Sequence, residues 1–235
     1  MKKTVLFTAL CLTLTLGRAW ANPIQGTTNP NAFTQDFINW CQFGCSSTSS
    51  PLASTTPRVW VSNDGATGKI GLHNGGSQGF YTYQQGTTMF NWRGNFPSGM
   101  GVIYNGYQYL LQQASIVVTF NSGVSGVGAY IDTSAFGPFS ATITLFDQNN
   151  NPLGSFTTGK GVSNNNAGTA EFIGGYGVGP IFAAEFDAVD VNGIEDFAIG
   201  RVSFNSIIPE PSSLLLFGSS ALGVAGVIRR RFRVL

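Results

Sequence analysis

Charge is what this sequence has least of: Asp, Glu, Lys and Arg make up 10% of its 235 residues, and 12 basic against 11 acidic side chains leave a formal net charge of +1. Binding a nucleic-acid backbone takes clustered cations that neutralise phosphates, and no basic face of that kind is available. Histidine is scarcer still, with His73 alone in the chain. Neither His-Glu-x-x-His nor the phosphate-cradling Gly-x-x-x-x-Gly-Lys-Ser/Thr occurs. A Ser-His-Asp arrangement formally needs a single histidine, but the Gly- and Asn-rich setting of His73 reads as a loop residue, satisfied or facing solvent. Cysteine is limited to Cys11, Cys41 and Cys45. Cys41 and Cys45 suit a small local disulfide or free thiols, and together with His73 they match no standard zinc spacing.

What the chain does have is glycine, with 31 residues, and aromatic side chains at 13%. That aromatic fraction argues for a packed, β-rich fold rather than disorder. Removing the two terminal segments described next leaves roughly 185 residues, the size of one ordinary domain.

The N-terminal segment follows the export pattern. Lys2 and Lys3 precede an apolar run from Val5 to Leu16, and Ala19-Trp20-Ala21 supplies a small-x-small cleavage site before Asn22. The run is shorter than the ~20 residues a membrane-spanning helix needs, so residues 1–21 are expected to be a signal peptide, removed by signal peptidase together with Cys11.

At the other end, Pro209-Glu210-Pro211 precedes an apolar run from Ser212 to Ile228, followed by Arg229, Arg230, Arg231 and Arg233. As a helix the run reaches about 25 Å, and snorkelling arginines supply the rest of a bilayer crossing. The basic cluster behind it places the C-terminus in the cytoplasm and the body outside. Pro211 suits a helix start, where its missing N–H costs nothing. This combination of motif, apolar span and arginine cluster resembles the PEP-CTERM sorting signal of Gram-negative bacteria that make exopolysaccharide. The resemblance implies recognition by an exosortase, a membrane-embedded transpeptidase or protease, with Pro209, Glu210 and Pro211 as recognition residues and Arg229, Arg230, Arg231 and Arg233 as the anchor's basic cluster. Its logic parallels the GPI signal, an address that is read and then removed. The expected layout is a signal peptide over 1–21, an extracellular domain over 22–206 and a sorting signal over 207–235, with a transmembrane helix about 212–228.

Between the tags, strand signals dominate. Ser115–Phe120, Ala141–Phe146, Leu153–Thr157 and Phe197–Phe204 are short, β-branched or aromatic, and bounded by Gly, Asn and Pro. Asp147–Pro152 joins the second to the third as a hairpin, and Asn192-Gly193 predicts another between Phe186–Val191 and Ile194–Ile199. Phe33–Phe43 reads as a short helix or strand. The pattern predicts an all-β fold, an antiparallel sandwich or jelly roll. Phe37–Gly44, Asn91–Phe96, Gly126–Ile131, Thr142–Asp147, Phe172–Gly174 and Asp196–Ile199 resemble a recurrent pattern in the extracellular domains that precede such tags. Relatives often carry Asn or Asp after the Phe-Ala-Ile step, where this chain has Gly200.

Three groups of residues are candidates for chemistry. Glu185, Asp187, Asp190, Glu195 and Asp196 crowd one segment; a glycosidase needs two carboxylates across a cleft, but around a turn such acids are solvated. Asp187, Asp190, Asn192 and Glu195 could supply oxygen ligands to calcium, although not at EF-hand spacing. Tyr81, Tyr83, Trp92, Tyr107 and Tyr109, with Trp60 and Tyr104, offer ring faces for sugar stacking, or a filled β core. Tyr81-Thr82-Tyr83 and Tyr107-Gln108-Tyr109 would each place a pair on one strand face. The expected protein is exported through the inner membrane to the cell surface or matrix. It is structural or adhesive, with glycan binding, no catalysis and no cofactor unless calcium. Its partners are signal peptidase, exosortase and exopolysaccharide, and the competing class is a polysaccharide-active hydrolase or lyase.

Overall fold

The computed structural model describes residues 23–44, 50–52, 57–73, 80–84, 95–97, 99–105, 114–164, 168–193 and 196–207. The expected signal peptide and its cleavage site, and the sorting segment with its helix over 212–228, lie outside the described residues. Among the described residues no helix is long and apolar enough to cross a membrane.

The strands, in chain order, are β1 (Gln25–Thr27), β2 (Asp36–Ile38), β3 (Ser50–Leu52), β4 (Arg58–Val61), β5 (Thr67–Leu72), β6 (Phe80–Gln84), β7 (Gly101–Tyr104), β8 (Ile116–Thr133), β9 (Gly137–Phe146), β10 (Pro152–Ser163), β11 (Glu171–Asp190) and β12 (Phe197–Ser206). Every pairing is antiparallel. The alternation that predicts strands also aims them: along β9, Phe139, Ala141, Ile143 and Leu145 are buried while Ser140, Thr142, Thr144 and Phe146 turn outward.

Two strands are long enough to belong to two layers at once. The first half of β8 pairs with β5 and with the C-terminal half of β11, which continues to β9 and β10. The second half of β8 pairs with β12 and with the N-terminal half of β11, whose other edge takes β1. The register breaks between Tyr176 and Ile181, where Gly177 and Gly179 take φ of +85° and +94°. Strands that turn a corner between layers do so at such irregularities.

The two layers face each other across one core. Phe120 of the first layer meets Phe204 of the second at 5.2 Å between ring centroids, and Trp60 of β4 reaches the same Phe204 at 6.1 Å. Gly26 of β1 lies against the Phe156 ring of β10, where a Cβ would overlap the ring. The fold is therefore an antiparallel β-sandwich, as the spacing of strand signals predicts. Trp60 and Tyr104, at 0% and 3% exposure, are core residues and not a sugar platform.

The hairpin expected at Asn192-Gly193 is a correction. The turn itself forms, with Gly193 at φ +77° and its N–H on the Asp190 carbonyl at 3.1 Å. The strands on either side do not pair, because β11 and β12 lie on opposite edges of β8. Turn chemistry is local, whereas pairing is decided by which edges need partners, and β8 offers two. The hairpin across Asp147–Pro152 does form, β9 against β10, and Phe33–Phe43 resolves into β2 followed by a 3-10 turn over Trp40–Phe43.

Candidate functional site

The outer faces of the two layers each carry a recess, and the two are built differently. On the first layer the ladders run without interruption under the recess, so outward residues line up in rows: Lys69 opposite Thr119, and Val117 opposite Glu185, which faces Thr144 in turn. A recess of about 340 Å³ lies over these rows, walled by Pro57, Leu72, His73, Phe146 and Asn150. His73 Nδ1 is 3.2 Å from Glu185 Oε1, with the two side chains 48% and 18% exposed. The His73 N–H extends the ladder by bonding the Ser115 carbonyl at 2.9 Å, which fixes the imidazole's backbone beside the carboxylate. Lys69, Thr119, Asn150 and the His73–Glu185 pair thus offer donors and acceptors beside the apolar side chains of Pro57, Leu72, Val117 and Phe146.

On the second layer the recess grows out of a bulge. Ile199 pairs with Ile131 and Val202 with Ala129, so Gly200 and Arg201 together oppose Tyr130. The inward parity of β12 switches there, from Phe197 and Ile199 to Val202 and Phe204, all fully buried. Both bulge residues are left on the outer side. At the same point the other edge of β12 changes partner, from β7 at Ile199 to β2 at Val202. The parting of β7 from β2 opens a recess of about 430 Å³ bordered by Phe37, Asn39, Met100, Tyr130 and Arg201.

Buried polar contacts hold this recess in shape. Trp40 Nε1 donates to the Gly200 carbonyl at 2.7 Å, which ties the bulge to the turn after β2. Asn95, fully buried, donates from Nδ2 to Asp132 Oδ2 at 2.8 Å and accepts the Ala170 N–H on its carbonyl at 3.0 Å. That anchors residues 95–97, which lead into the wall formed by Pro97, Gly99 and Met100. Burial pushes the Asp132 carboxyl above the usual 3.8, against hydrogen bonds from Ser163, Asn95, Thr169 and the Thr133 N–H that pull the other way. The Asp196 carboxyl is raised likewise by burial, with the Asp190 charge adding to it while Ser134 and Tyr104 bonds oppose.

Of the acids expected to converge, Asp187 and Asp190 do not share a face. Asp187 and Asp190 stand three apart on a regular stretch of β11, and so project from opposite faces. Asp190 accepts the Asn192 N–H at 2.8 Å and its Nδ2 at 3.3 Å, an Asx arrangement that closes the turn. Glu195 lies outside the described residues, and among the described residues no three potential metal ligands of the His, Cys, Asp or Glu type come together. Tyr81 and Tyr83 lie in β6, in register with Tyr104 and Val102 of β7. Trp92, Tyr107 and Tyr109 lie outside the described residues. Cys41 is disulfide-bonded, while Cys45 lies outside them, as do Pro209, Glu210, Pro211, Arg229, Arg230, Arg231 and Arg233.

Sequence reasoning passed over Arg201 and Phe37, the residues at the centre of the bulged recess. Their signal was a break in alternation, Phe197-Ala-Ile-Gly-Arg-Val-Ser-Phe204, in which inward apolar residues shift from odd to even positions. It also passed over Gly75-Gly76-Ser77-Gln78-Gly79, which spells Gly-x-Ser-x-Gly shortly after His73. That segment lies outside the described residues, and the nucleophile elbow needs a strand-to-helix turn, whereas β5 before it is an antiparallel strand.

Fold and recesses together define an antiparallel β-sandwich body with a recess on each of its two outer faces. The family model described as the PEP-CTERM protein-sorting motif matches residues 208–231. The chain thus bears the C-terminal tag of an exosortase substrate, an exported protein that passes the membrane by way of its C-terminus. No curated protein matches the chain. Among solved structures, the crystal structure of a DUF4465 family protein from Bacteroides caccae is similar at 11% identity, covering 73% of this chain and 100% of that one, with a TM-score of 0.42.

Proposed function

We propose that this exosortase substrate is a structural or adhesive protein of the cell surface or exopolysaccharide matrix, and that it binds glycan without turning it over and without a metal cofactor. The observation that carries this reading is the first-layer recess: donors and acceptors from Lys69, Thr119, Asn150 and the His73–Glu185 pair beside apolar side chains from Pro57, Leu72, Val117 and Phe146, within the volume range of ordinary ligand sites. Sugars need that mixture, since each ring presents hydroxyl edges and an apolar face. Signal peptidase and exosortase are the processing partners in this scheme, and the host's own exopolysaccharide is the expected ligand.

The test is a pull-down of the full-length chain, purified in detergent, on that exopolysaccharide and a panel of insoluble neutral glycans, with and without a calcium chelator. Retention on one glycan class is expected, unaltered by chelator, reduced roughly tenfold by a Lys69→Ala/Glu185→Ala double variant, and with no new reducing ends released. Absence of retention from a folded protein ends the binding reading. Release of reducing ends or unsaturated products replaces it with a polysaccharide hydrolase or lyase using the His73–Glu185 pair.

A further inference from the structure

We propose that the recess at the β12 bulge is a second, separate ligand site, and that its ligand is a carboxylated sugar, a uronic acid unit of an acidic polysaccharide. The argument begins with charge. Among the described residues lining this recess Arg201 alone is charged, and among the described residues its guanidinium is in no ion pair. In a chain with only 12 basic residues, an exposed arginine left without a carboxylate at the mouth of a recess is a cation awaiting its anion.

Geometry narrows the anion. The guanidinium carbon of Arg201 stands 4.9 Å from the centroid of the Phe37 ring, a stacked position that occupies one face of the guanidinium and leaves its N–H edge free. That edge presents parallel donors matched to the two oxygens of a carboxylate. The backbone that carries Arg201 is held at the bulge, where the Gly200 carbonyl accepts the Trp40 indole N–H at 2.7 Å.

The rest of the lining selects a sugar as the carrier of that carboxylate. Phe37 and Tyr130 are half-buried, and both line the recess, giving apolar surface for the C–H face of a ring. Asn39 is exposed, and its Oδ1 is committed to the Cys41 N–H at 3.0 Å. Its Nδ2 is therefore the end left to face a ligand, so Asn39 and Arg201 both donate, and the Tyr130 hydroxyl can do so too. A site of donors over aromatic surface suits a ring rich in acceptor oxygens and bearing a negative charge. Gly200 belongs to the same construction: a Cβ there would press on the Met100 sulfur and stand 3.1 Å from the Phe96 ring, and the wall would shift into the recess.

The first recess is not involved, and the two sites succeed or fail separately. Isothermal titration of the full-length chain in detergent decides the matter, with tri-galacturonate, its methyl ester and tetra-glutamate as the three probes. The free acid is expected to bind and the methyl ester, which keeps the ring and loses the charge, to bind at least tenfold more weakly. Arg201→Gln should cost roughly 30-fold or more in affinity, Arg201→Lys an intermediate amount because the fork is lost and the charge kept, and Phe37→Ala a comparable share. Arg58→Gln, an equal loss of charge on exposed β4, should change nothing. Any of four results overturns the proposal: no binding of the acid, equal binding of acid and ester, equal losses from Arg58→Gln and Arg201→Gln, or tetra-glutamate binding as tightly as the sugar acid, which would make the site a peptide carboxylate receptor.

Discussion

The two recesses sit on opposite faces of one sandwich and show two ways to place polar side chains on a β surface. Under the first recess the ladders are regular, so its residues are where simple alternation puts them, in rows across β5, β8, β11 and β9. The second exists because alternation fails: a two-for-one pairing at Gly200 and Arg201 leaves both residues outside, and a change of partner strand opens the space beside them. A regular face is robust but fixed in what it can present. A bulge aims a side chain that the ladder would have buried or spaced differently, and it depends on supports that a regular face does not need.

The largest effect that would sharpen this contrast is a glycine substitution under the regular face. In Gly68→Ala the new Cβ meets the Thr119 backbone carbonyl oxygen and the Trp60 ring, neither of which can move aside without spoiling the β5–β8 pairing. The expected cost is about 3 kcal/mol or more, roughly 6–12 °C in Tm, read by thermal unfolding. Gly200→Ala at the bulge meets the end of the flexible Met100 side chain first, so about 1 kcal/mol and roughly 2–4 °C are expected. Equal losses at the two positions would erase the distinction between a rigid face and a yielding one.

Next in size is Trp40→Phe. It keeps an aromatic side chain but removes the donor to the buried Gly200 carbonyl and empties the space of the indole's second ring; the unsatisfied acceptor alone costs about 1–3 kcal/mol, and the cavity adds to it. Ligand binding at the bulged recess should weaken while pull-down through the first recess stays intact. The smallest effect concerns pH. Asp132 and Asp196 have folded carboxyls raised above the ordinary 3.8 by burial. Between that ordinary value and the raised ones the folded state holds more protons than the unfolded state, so stability falls as pH rises through the window. Acidification toward the ordinary carboxylate range should therefore raise Tm slightly before global acid effects set in, and an Asp132→Asn/Asp196→Asn variant should flatten the slope. A slope that persists in the double variant would move its origin elsewhere.

The same division explains what could be read in advance. The all-β class and the β9–β10 hairpin were legible because each depends on local chemistry: alternating apolar residues, and an Asp147–Asn151 turn in which Asp147 collects the Asn149 and Asn151 N–H groups. The cores of β8, β9, β10 and β12 were legible for the same reason. Their full lengths were not, since Gly and Asn at the corners read as strand ends when they are bends within continuous strands. The Asn192-Gly193 turn was legible and its pairing was not, because nothing local reveals that β8 lies between the two arms. His73 was visible only as a lone histidine; Glu185, its partner, is 112 residues away on another strand, a difference taken directly from their positions. Asp187 and Asp190 looked like neighbours in a list of acids, yet three steps along a strand separates them onto two faces.

The C-terminal end of the body is held from both sides. β12 is the last strand before the matched sorting segment, and it runs in the interior of the sheet, with β8 along one edge and β7 and β2 along the other. A pull on the C-terminus enters the body along that strand and must slide it past hydrogen bonds on both sides at once, instead of peeling a border strand one bond at a time. A load applied there is carried along a strand bonded on both edges, straight into the middle of the sandwich.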